Sequence, residues 1–183
     1  MACVISVVVS GAIASTEDPR HQQLVLQTKA RFLDTFARYV DWPKETFTTS
    51  RNALVIGVLG EDPFGKLLDA TLENRKFNQQ PIQCARFQRV EDVRACQVLF
   101  IAEPDPSRLK QILVRLRGKN ILTVSDADGF LDQGGQIQFV LDERRLKFEV
   151  NLDAVRKAGL DLDANLLRAA RRVVRHDEPA GVK

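Results

Sequence analysis

Between residues 53 and 124 short apolar runs alternate with amphipathic segments, and this alternation constrains the fold more than any other feature of the chain. The runs lie at 53–59, 82–87, 98–101 and 121–124; the segments between them lie at 66–72, around 90–94, and at 107–116 with Ser107 in position to cap. Such an order predicts parallel strands joined by right-handed crossovers, with helices on both faces of one sheet. Ile121, Leu122 and Val124 are nearly continuous, as a strand covered on both faces requires. Residues 136–141 and 146–150 then predict a hairpin closed by the polar turn Asp142-Glu143-Arg144-Arg145. In its first strand Ile137, Phe139 and Leu141 alternate with Gln136, Gln138 and Val140, which predicts one wetter face at the margin of the sheet. The fold class expected is α/β: a three-layer α/β/α sandwich, its central, mostly parallel sheet extended by an antiparallel C-terminal hairpin. The long, fairly apolar hairpin also predicts self-pairing into a homodimer.

The flanks extend this plan. Leu24, Leu26, Ala30, Leu33, Phe36, Ala37 and Val40 recur mostly at three- and four-residue steps, with Lys29, Arg31, Asp34 and Arg38 opposite, so one long amphipathic helix should run from His21 to Trp42-Pro43. Trp42 is expected to plug the core at its end. After the hairpin, helical patterns at 152–158 and 164–174 are separated by Gly159 and by residues 161–163, whose aspartates can cap the second. Residues 2–14 are apolar without a charge and end in Ala12-Ile13-Ala14-Ser15, the small-x-small form of a signal-peptidase site. They read as the back of a secretion signal lacking its basic front, the other reading being a short N-terminal strand. A bilayer-spanning helix needs about 20 apolar residues, so this run does not cross one. The expected organisation is a signal-like segment at 1–14, a single domain at 15–175 and a frayed tail at 176–183.

Several function classes have no support. A net charge of +3, with basic residues interspersed among acids and aromatics that are nearly all Phe in apolar surroundings, does not make a nucleic-acid interface. Cys3, Cys84 and Cys96, with His21 and His176 near the chain ends, form no ligand cluster, so neither a metal nor another cofactor is expected. Strand, then 60–65 with a glycine at each end, then helix is the order of a phosphate-binding turn. The glycine fingerprints are missing, however, and Glu61 and Asp62 would repel a phosphate, so a plain turn is expected. Ser125 and Asp126 should lie with Glu103 at the carboxyl ends of the strands, but neither histidine is placed to act as a base, and no catalytic residue is assigned. Glu149 and Asn151, polar at the end of an apolar strand, are ligand-binding candidates, although Asn151 is also a natural helix cap. Arg168, Arg171, Arg172 and Arg175 share much of one face of the last predicted helix and are the partner-binding candidates, a solvated helix surface being the alternative.

A set of phrases stands in order along the chain: Lys29-Ala-Arg-Phe-Leu33, Phe36-Ala-Arg-Tyr-Val-Asp-Trp-Pro43, Val55-Ile-Gly-Val-Leu-Gly60, Ala95-Cys-Gln-Val-Leu-Phe-Ile101, Ile121-Leu-Thr-Val-Ser-Asp126, Gly134-Gly135-Gln-Ile137, and Leu146-Lys-Phe-Glu-Val-Asn-Leu152 with Ala158-Gly-Leu160. In this order they resemble the YfiR-like family of bacterial periplasmic proteins. The resemblance implies a secreted α/β domain without enzymatic activity. The partner it implies is the periplasmic part of a membrane-bound diguanylate cyclase, or another envelope sensor protein. Holding such a cyclase inactive would set cyclic di-GMP and hence biofilm formation and motility. The alternative is a cytoplasmic, doubly wound nucleotide- or small-ligand-binding domain or enzyme. The resemblance also implies a cysteine in the strand that here reads Val55-Ile-Gly57-Val, bridged to the cysteine ahead of the 98–101 strand. Gly57 leaves Cys96 without that partner, so Cys84 and Cys96 are the disulfide candidates in the mature chain, with free buried thiols the alternative. Two strand spacings, roughly 9–10 Å, would separate them, and a bridge would need Cys96 to lean across from the loop before its strand.

Overall fold

The computed structural model describes residues 18–47 and 53–175; the signal-like segment and the tail lie outside the described residues. Helix α1 (Pro19–Arg38) starts where Asp18 accepts a hydrogen bond from the Arg20 amide at 3.0 Å, with Pro19 in the first turn, where its missing N–H costs nothing. Its apolar stripe is fully buried at Ala30, Leu33, Phe36 and Ala37, whereas Leu24 is 58% exposed because the first turns project past the packed core. Asp34, expected on the wet face, is buried instead, gripped by Arg38 at 2.9 Å and by Arg75. The helix ends at Arg38, ahead of Trp42-Pro43, and the Trp42 indole N–H donates to the Ala37 carbonyl at 3.0 Å while its ring packs on the core. Strand β1 (Val40–Asp41) follows directly.

The sheet is laid down by β2 (Leu54–Gly60), β3 (Lys76–Phe77), β4 (Gln80–Phe87), β5 (Val98–Ala102), β6 (Leu122–Ser125), β7 (Ile137–Asp142) and β8 (Arg145–Asn151). Helices α2 (Lys66–Leu72), α3 (Pro106–Leu116), α4 (Leu152–Lys157) and α5 (Ala164–Ala169) connect or follow them. A short β9 (Asp161–Leu162) pairs antiparallel with β1, and β10 (Arg172–Val174) completes an eight-stranded sheet of order β10-β8-β7-β6-β5-β2-β4-β3. From β4 through β7 all neighbours are parallel; β3 is antiparallel to β4 and β8 to β7. This is the mostly parallel sheet with an antiparallel hairpin that the alternation predicts. Ala30, Phe36, Leu68, Val155 and Leu166, from the remaining helices, bury one face; Leu109, Leu113 and Leu116 of α3, with Phe130 and Leu131, bury the other.

Local differences have physical causes. α3 begins at Pro106 and is capped by Asp105, not Ser107, the Asp105 carboxylate accepting from the Arg108 amide at 2.8 Å; proline fits the first helical position better than any other. The hairpin turn needs only Glu143 and Arg144, both at positive φ (46° and 66°), because a left-handed two-residue turn matches the twist of the strands. The predicted wetter face is dry: Gln136 and Gln138 are 6% and 8% exposed beneath the 126–135 segment.

The largest difference is at the C-terminus, where a helix was expected over 164–174. α5 stops at Ala169, Ala170 turns extended (ψ 140°), and β10 runs parallel to β8 with Arg172 opposite Glu149 and Val174 opposite Asn151. That part of the hairpin edge is therefore occupied rather than open for self-pairing.

Candidate functional site

The carboxyl ends of the parallel strands, where doubly wound sheets take ligands, are closed. A Cβ on Gly60 (φ 95°) would lie 2.5 Å from the Ala102 carbonyl oxygen, so the two strand ends touch where a crevice would open. Phe64, 5% exposed, fills the adjoining space and meets Phe100 edge-on at 5.0 Å. The polar groups there hold the loops. Asp62 accepts from the Phe64 amide at 2.8 Å and pairs with Arg86, which also pairs with Asp69. That hydrogen bond from Arg86 holds the Asp69 carboxyl below its ordinary range and raises Arg86. Lys29, only 12% exposed, reaches Asp126 at 2.5 Å; Ser125 donates to the Ile101 carbonyl at 2.7 Å; Glu103 accepts from the Asp105 amide at 3.0 Å. Ser125 is thus a buried brace.

The C-terminal half of the sheet carries a buried polar face. Thr123 and Ser125 of β6, Gln136 and Gln138 at β7, and Glu149 and Asn151 of β8 are all below a tenth exposed. Ser125, Gln138 and Asn151 anchor the 126–135 segment, whose backbone would otherwise lack partners. Gln138 accepts from the Leu131 amide, and the Asn151 amide group donates to the Leu131 carbonyl at 3.1 Å.

The two ligand-binding candidates separate in role. Asn151 caps α4, accepting from the Ala154 amide at 3.0 Å, and lines a cleft. Glu149 is an internal anchor: Arg171 reaches Oε1 at 2.9 Å and Arg172 reaches Oε2 at 2.8 Å, which raises Arg172. Two of the four partner-binding arginines are therefore committed to a carboxylate on β8. Arg168 on α5 donates to Asn165, and Arg175 is exposed beyond β10, so the four do not share one helix face.

Cys84 and Cys96 are free thiols, the alternative to the bridge for which they were the candidates. Cys84 packs with the α1 side of the sheet and Cys96 with the α3 side, with β2 between, so their side chains point apart. Burial pushes the Cys84 thiol up to about 11 and the Cys96 thiol up to about 12. A raised thiol favours the neutral form, so its contribution to stability is fully present below the ordinary value of 9.0 and is lost as pH rises through these values. Iodoacetamide at pH 8 is expected to alkylate Cys96 only after unfolding; its rapid native labelling, read by mass spectrometry, would contradict its burial.

Gly57 marks a feature that periodicity alone does not show. A Cβ built there lies 2.8 Å from the Cys96 sulfur and 2.7 Å from the Phe87 ring, so these two groups occupy the space of a side chain. A Gly57→Cys variant is expected to bridge Cys96 under mild oxidation, provided the Phe87 ring shifts. A loss of two hydrogens in the intact mass, absent in Gly57→Ser, checks it.

The arrangement is an α/β domain in which the polar side chains named above brace loops and strands. The chain matches the YfiR/HmsC-like family over residues 26–171, from within α1 to the residue before β10, and it belongs to that family. No helix among the described residues is long and apolar enough to cross a membrane.

Proposed function

We propose that the chain is a non-catalytic periplasmic regulator that binds and represses a membrane-bound sensor protein, a diguanylate cyclase, and thereby sets cyclic di-GMP and biofilm formation. The family match over residues 26–171 carries this reading. The filled crevice at Gly60 and Phe64 supports it over a nucleotide-binding enzyme. A pull-down from the bacterial envelope with the mature chain is expected to recover a cyclase with a periplasmic sensor domain. Recovery of no membrane protein, with the chain fractionating in the cytosol, would overturn the reading.

The arginines are the proposed contact face, and the structure dictates how to test them. Reversing Arg171 or Arg172 would strand Glu149, so loss of binding could reflect unfolding. Arg168 and Arg175 are exposed and leave that clamp intact. Arg168→Glu with Arg175→Glu should slow association with the partner by several-fold, more at low salt than at high. Unchanged association kinetics would remove these two arginines from the interface.

A further inference from the structure

A cleft of about 530 Å³ opens at the amino ends of the parallel strands, the end of the sheet opposite the closed crevice. Its size suits a small organic molecule. Its wall is apolar at Leu113 and Leu116 of α3, at Leu131 and at Ala158.

The polar groups of its floor are Gln136, Asn151 and Thr123, and each side-chain polar atom of the first two has a partner. Gln136 accepts from the Thr123 amide and donates to the Ile121 carbonyl, both at 3.2 Å; Asn151 is spent on Leu131 and on the cap of α4. Thr123 differs. It is 3% exposed, its side chain is on the α3 face of β6, and its hydroxyl oxygen has no hydrogen-bond partner. Folded proteins leave few buried hydroxyls unpaired, and this one, closed off from solvent in the free protein, belongs to a residue that lines the cleft.

The rim supplies the charge. Arg117 and Lys157 line the mouth, and neither has an ion-pair partner among the described residues. Asp132 and Asp153 also line it: Asp153 has an interaction of its own, and Asp132 has no ion pair among the described residues but lies in the field of Arg172. The opening thus carries two cations and one carboxylate without an ion-pair partner.

We propose that this cleft binds a small organic carboxylate. Arg117 and Lys157 hold the acid group, Leu113, Leu116, Leu131 and Ala158 cover a short hydrocarbon body, and a second oxygen of the ligand pairs with the Thr123 hydroxyl. The site is measured on the chain alone, so it stands or falls separately from any membrane partner.

The test is a ¹H–¹⁵N NMR titration of the full chain with 2-hydroxyisocaproate, which presents a carboxylate, a hydroxyl and a branched hydrocarbon tail. Saturable shifts are expected along 113–118, 121–123, 131–136 and 151–158, with the neutral 2-hydroxyisocaproamide weaker by about tenfold or more. Arg117→Gln with Lys157→Gln should weaken the acid by about tenfold while leaving Tm unchanged. Thr123→Val should raise the Tm of the free protein, by removing an unpaired buried hydroxyl, and weaken the acid. Merely structural roles would not move these readouts together. Acetyl-Ala-Leu carries the same carboxylate on a chain end: tighter binding than the free acid assigns the ligand to a peptide terminus, weaker binding to a free metabolite. No saturation at tens of millimolar, equal affinities for acid and amide, or full affinity in the double glutamine variant would each overturn the site.

Discussion

Phe36→Ala is expected to lower folding stability by about 3–5 kcal/mol, the range for emptying a buried phenylalanine site. Phe36 is fully buried where α1 crosses the sheet. Its ring meets Phe148 edge-on at 5.0 Å, stacks on Phe139 at 5.8 Å and on Phe32 at 5.5 Å. Phe139 continues to Phe100 at 6.4 Å and Phe100 to Phe64, so one aromatic chain ties α1 to the hairpin and to the middle strands. Two of the neighbours of Phe36 stand on paired strands, which limits collapse into the space it leaves. A domain of this size has on the order of 5–15 kcal/mol in total, so the variant should unfold at much lower urea. Phe36→Leu should lose clearly less. A loss below about 1 kcal/mol in Phe36→Ala would mean that α1 does not dock on the hairpin as described.

The second large effect is expected from Arg171→Ala with Arg172→Ala, at about 2–4 kcal/mol. Removing the partners of a buried charge costs roughly 3–5 kcal/mol where the whole pair is buried; here the arginines are 46% and 57% exposed, so water already screens part of the interaction. Glu149 itself is 5% exposed and stands opposite Arg172 where β10 pairs with β8. Adding Glu149→Gln to the double variant should restore part of the loss, because an amide tolerates burial better than a carboxylate. Equal stability of the double and triple variants in urea would show that the cost lies in lost arginine packing rather than in the stranded charge.

These two sites divide the fold between what sequence pattern reveals and what it does not. The parallel core was legible because each strand is a short, nearly continuous apolar run and each helix between them has its own stripe and cap. β10 was not. Leu166, Leu167, Ala170, Val173 and Val174 continue a helical spacing with no glycine or proline to end it. What ends α5 is pairing with β8 and the Glu149 clamp, which are contacts made at long range. The pair of β-branched residues at Val173-Val174 was the available signal. Gln136 and Gln138 misled in the same way, since alternation marks a polar face but not whether a loop will cover it. Of the site candidates, Asn151 reached the cleft while Glu149 turned inward. Thr123 stayed hidden because threonine in an apolar strand reads as an ordinary β-former, and Arg117 and Lys157 because their nearness depends on where α3 and α4 end.

The placing of α1 also fixes the order in which the chain can close. The first helix rests on Phe148, and β1, which follows it, pairs with β9 at Asp161–Leu162. The stripe of α1 also packs on α2, β2 and β5, but its cover is complete only once the last third of the polypeptide has emerged, and closure joins segments over a hundred residues apart. Such distant contacts make folding slow. In a chain exported as proposed, the early segment would remain threadable throughout translocation, and commitment to the folded state would come only after β8 and β9 had crossed.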